Sequence, residues 1–93
     1  MTDTKLLVGS LSNDLFRVAS LWQRGSETAA VRFLTEANNW AGPLAESSEK
    51  PYITKIARLV LNLKPEDLSL KLAEDILMYS VLLQNYALHM KSK

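Results

Sequence analysis

Apolar residues recur at Leu11, Leu15, Val18, Trp22, Ala29, Phe33, Ala37 and Trp40. With Gly25 counted in the row, every step is three or four, the spacing that gathers side chains on one face of an α-helix. The phase holds across the whole stretch, so the spacing predicts one continuous helix over about residues 10–41. At ~1.5 Å per residue such a helix is roughly 45 Å long. The competing reading is a break at Arg24-Gly25-Ser26-Glu27. Glycine inside a helix costs ~1 kcal/mol against alanine, and Ser26 followed by Glu27 suits a fresh helix start. A turn usually resets the phase, and here it is kept, which favours the continuous helix.

The other boundaries come from caps and prolines. Ser10 or Ser12 suits the first helix start, which leaves residues 1–9 as a loosely ordered tail. Gly42 and Pro43 form a stop signal. Pro43 to Lys50 reads as a polar loop, with Ser47 or Ser48 as the next cap. A second helix follows over about 50–62, with Ile53, Ile56 and Val60 on its apolar face. Lys64 precedes Pro65 and is pushed out of helical geometry. A third helix is expected over about 65–90, with Leu68, Leu72, Ile76, Tyr79, Leu83, Tyr86 (or Ala87) and Met90 as its stripe. Ser69 is an alternative start, with 65–68 as a separate turn. The fold class is all-α: a small helical bundle with a long N-terminal helix and two further helices, one domain over 1–93.

Composition narrows the class of function. Eleven Lys and Arg stand against ten Asp and Glu. That balance gives no strong pull toward nucleic acid or a membrane surface. Helices two and three have helix-turn-helix spacing across Leu63 to Pro65. The second of the pair carries Glu66, Asp67, Glu74 and Asp75, which would face DNA phosphates badly. The most apolar run, Ile76 to Leu83, is far short of the ~20 residues of a membrane span. The first residues lack the pattern of a secretory signal, and there is no cysteine, which fits a reducing compartment. The expectation is a soluble, cytoplasmic chain.

Catalytic chemistry finds little support. His89 is the sole histidine. A metal site needs several convergent ligands, and the neighbouring acids Glu66/Asp67 and Glu74/Asp75 do not face each other on a helix. There is no nucleophile motif and no glycine-rich phosphate loop. No enzymatic activity, cofactor or metal is expected. Arg17, Arg24 and Arg32 are spaced seven and eight apart and form a candidate polar strip along one side of the long helix, which in the simplest view is a solvated face.

Trp22, Gly25, Ala29 and Phe33 form a candidate interface. A 45 Å helix overruns a compact globule of this length, whose radius of gyration is near ~12 Å. The flanking Phe16, Leu21, Val31 and Leu34 widen its apolar face, and Gly25 allows close backbone approach. A homodimer through this helix follows as the expectation, since two-fold pairing is the commonest solution. The best functional reading is a non-enzymatic regulator or adaptor acting by protein contacts. An immunity- or antitoxin-like protein that neutralises a partner is the alternative. A bundle binding a small molecule near Trp22 and the tyrosines is another.

Overall fold

A computed structural model describes residues 3–47 and 49–90. The chain forms α1 (Thr4–Gln23), α2 (Glu27–Ala45), α3 (Pro51–Leu61), a 3-10 turn (Pro65–Asp67) and α4 (Leu70–Leu88). All regular structure among the described residues is helical.

The expected long helix is two helices. α1 ends at Gln23 with Arg24 as its C-cap, and Gly25 takes a left-handed φ of +88°. The Ser26 N–H donates to the Leu21 carbonyl at 2.8 Å and the Gly25 N–H to the Trp22 carbonyl at 3.0 Å. These are the two bonds of a Schellman turn, and the left-handed position is where glycine is favoured. α2 then runs back along α1. With the break at Gly25, the overlong helix that motivated a dimer disappears. The molecule has a radius of gyration of 12.4 Å and extents of 40 × 21 × 20 Å.

Three other boundaries move. Residues 4–9 are helical, not a tail: Asp3 accepts the Lys5 N–H at 3.0 Å and caps α1, and Leu7 and Val8 are buried. The burial of those two side chains is what draws the segment onto the bundle. Gly42 and Pro43 do not stop α2, which continues to Ala45 with Pro43 inside it. Proline there removes one ladder bond, but Leu44 and Ala45 extend the buried row of Leu34, Ala37 and Ala41, and that burial offsets the loss. The expected helix over 65–90 is divided. Pro65–Asp67 forms the separate turn, closed by the Lys64 N–H on Asp67 Oδ2 at 2.9 Å. Ser69 caps α4 through its hydroxyl, which accepts the Leu72 N–H at 3.1 Å. α3 falls within the expected bounds and starts at Pro51, where a missing N–H does no harm. Ser48, one of the two serines expected to cap α3, and Lys91 and Lys93 lie outside the described residues.

α1 is central, packed against α2 on one side and α4 on the other, while α3 lies on α2. α1 and α2 run antiparallel, as the pairings Arg17 with Phe33 and Asp14 with Trp40 across the turn show. This explains the wide buried face of α1, which carries Leu7, Val8, Leu11, Ser12, Asp14, Leu15, Val18 and Ala19. Ser12 faces α4, donating its hydroxyl to the Ser80 carbonyl at 2.7 Å. Asp14 faces α2.

Candidate interaction surface

α4 packs small residues inward beside Ile76 and Leu83 and leaves several large ones exposed. Ala73, Ser80 and Ala87 pack inward with Ile76 and Leu83, while Leu70, Met78, Val81, Leu82 and Leu88 are exposed. The small side chains let α4 lie close on α1, and the larger ones are left on the outer side. Phe16 of α1 is exposed as well and shares a groove between α1 and α4 with Val81, beside Ser12, Asn13, Leu77, Ser80 and Gln84. Large exposed apolar side chains gathered on one face are a physical mark of a contact site. The sequence stripe missed it because it assigned Leu72 to the buried seam. Leu72 is half-buried, whereas Ile76 and Leu83 are fully enclosed.

The residues singled out from the sequence are only partly brought together. Trp22, at the end of α1, lines a shallow cleft with Glu27, Val31, Pro65 and Leu68. Gly25 is in the turn. Ala29 and Phe33 line a different cleft of about 190 Å³ with Arg32 and Glu36. The arginine strip along one helix is lost with the long helix: Arg17 is on α1, Arg24 caps its end and Arg32 is on α2. Arg17 does find a partner, its guanidinium lying 5.2 Å from the centre of the Phe33 ring in a cation–π contact.

Trp22 and the Tyr52–Tyr86 pair line separate clefts. Tyr52 and Tyr86 meet edge to face at 5.9 Å and line another open cleft with Lys50, Asn85, His89 and Met90. The Tyr86 hydroxyl donates to the Glu49 carboxylate. That bond, with burial and the Glu49 charge, raises the phenol above its ordinary range. His89 is exposed and closes the end of α4, with Nδ1 2.7 Å from the Asn85 carbonyl.

Asp14 is a buried acid that the sequence reading did not single out. It is only 3% exposed. Its Oδ2 accepts the Trp40 indole N–H at 3.0 Å, across the α1–α2 hairpin. Burial lifts its carboxyl to about 6, helped by a hydrogen bond and by repulsion from Glu36, while Trp40 and Arg17 pull it down. The available signal was position: Asp14 follows Leu11 by three and precedes Val18 by four, inside the apolar stripe.

Among the described residues no three of His, Cys, Asp and Glu are grouped to hold a metal ion. No helix among them is long and apolar enough to cross a membrane. Searches against family models, curated proteins and solved structures return no match for this chain.

Proposed function

We propose that the protein is a non-enzymatic helical module that acts through protein contacts, and that its first partner is a second copy of itself. The observation that carries this reading is the outer face of α4, where Met78, Val81 and Leu82 stand exposed and Val81 shares a groove with the exposed Phe16 of α1. A second copy suits this face: two α4 helices crossing antiparallel about Val81 and Leu82 set apolar side chains on apolar side chains and oppose their two helix dipoles favourably. The contact therefore belongs to α4 rather than to the Trp22–Phe33 stretch, whose residues are spread over the α1–α2 turn.

The strip is small. A face ~28 Å long and about one helix diameter wide offers roughly 300 Å² per copy, against about 800 Å² per partner in a stable complex. Association is accordingly weak and concentration-dependent. Sedimentation across the micromolar range tests it. The average mass should rise toward two chains, and Val81→Glu should return it to one chain with helical content unchanged. A single-chain mass at every concentration overturns the self-association.

A further inference from the structure

The hairpin of α1 and α2 holds a group that stability alone does not explain. Asp14 is buried, yet its carboxyl faces a second carboxyl, Glu36, and a donor, the Trp40 indole N–H. Trp40 and Glu36 lie four residues apart on α2, so both reach the same spot on α1. A carboxylic acid satisfies both neighbours at once: one oxygen accepts from Trp40 and the other donates its proton to Glu36. A carboxylate satisfies only Trp40 and repels Glu36.

We propose that Asp14, Glu36 and Trp40 form a proton-operated latch between α1 and α2. With a proton on Asp14, Glu36 is held down on α1. When that proton leaves to water, the exposed Glu36 swings off and turns to Arg32, one helical turn back on the same face of α2. Arg32 and Glu36 already line one cleft with Ala29 and Phe33. The latch therefore changes the charge of that cleft. With Glu36 held on Asp14 the cleft presents Arg32, and with the latch open Glu36 offsets it. The other groups facing Asp14 are few. Arg17 of α1 favours its ionised form. The groups acting on Asp14 thus come from α1 and α2: Arg17, Glu36 and Trp40. The latch does not involve the α4 face and stands apart from the self-association proposed above.

Carboxyl carbon NMR and Trp40 fluorescence test the latch, the latter in a Trp22→Phe chain so that one indole reports. Asp14 should titrate with a midpoint near 6, and Trp40 emission should change with the same midpoint. Glu36→Gln, which removes the repelling charge, should lower that midpoint by about half a pH unit or more. Asp14→Asn should abolish the Trp40 transition. His89→Gln should leave the profile unchanged. Titration of Asp14 in the ordinary carboxylate range overturns the proposal, as does Trp40 emission that stays flat while Asp14 titrates. An unchanged midpoint in Glu36→Gln does the same. Should Asp14→Asn fail to fold, the wild-type titration and Glu36→Gln decide between these outcomes.

Discussion

Trp40 donates its indole N–H to the Asp14 carboxyl over 3.0 Å and so ties α2 to α1 through a buried acid. The consequence for stability runs opposite to that of most native carboxylates. Unfolded, Asp14 ionises near its ordinary 3.8, and folded it does so near 6. Between those values the folded chain holds more protons, so stability falls as pH rises through the window and the full penalty is present above it. Asp14→Asn keeps an acceptor for Trp40 and a donor for Glu36 but cannot ionise. Above the window it should raise stability by about 1–3 kcal/mol, and below it the change should be close to zero. Urea unfolding on each side of the window checks this. A variant less stable than the parent above the window would contradict it.

Gly25 offers a test of the hairpin. A Cβ placed there meets nothing within 4 Å, yet φ is +88°. The cost of a side chain is therefore backbone strain without steric clash. Gly25→Ala should destabilise by roughly 1–2 kcal/mol, Gly25→Asn by less and Gly25→Val by more. Thermal unfolding of the three variants reads the ranking directly. An Ala variant as stable as the parent would mean that the continuous helix is accessible after all.

The two helix pairs were legible in the sequence to different degrees. Helical periodicity found the body of each α-helix but not the first turns of α1 or the last turn of α2, because burial of one face is what both the pattern and the fold express. It missed the reversal at Gly25 because residues 24–26 take up nearly one helical turn, so the stripe resumes in phase on the far side. The glycine and the Ser26-Glu27 pair were the signals that mattered. α4 misled for a different reason. Apolar residues surround it, and periodicity alone does not say that Ala73 and Ser80 face α1 while Met78 and Leu82 face out. That choice belongs to close packing between helices, which depends on side-chain size. Asp14 was visible as an acid within the apolar row. Its partners Glu36 and Trp40 come from a helix whose antiparallel course the continuous reading had removed.

Packing of α4 gives a graded expectation. Ile76 is fully enclosed and Leu72 only half-buried. Ile76→Ala should cost about 2–5 kcal/mol, the usual range for a large-to-small change in a core. Leu72→Ala should cost distinctly less. Denaturant midpoints of the two variants measure the difference. Equal losses would place Leu72 in the core and rotate α4 from the register described.

The crossing of α1 and α4 makes the last prediction. Ser12 donates to the Ser80 carbonyl at 2.7 Å, and the Ser80 hydroxyl donates to the Leu77 carbonyl at 2.6 Å. Ser80 lies within α4, so its carbonyl also serves the helical ladder and is not orphaned when Ser12 is changed. Ser12→Ala therefore loses one hydrogen bond and should destabilise by about 0.5–1.5 kcal/mol. Ser12→Leu adds bulk where two helices approach closely through small side chains, and overpacking of that kind typically costs about 1–3 kcal/mol, beyond the lost bond. The Leu variant should unfold at lower denaturant than the Ala variant, with helical content kept in both. If Ser12→Leu proves the more stable of the two, the helices have room to spare at this crossing, and the exposure of the larger α4 side chains needs another cause.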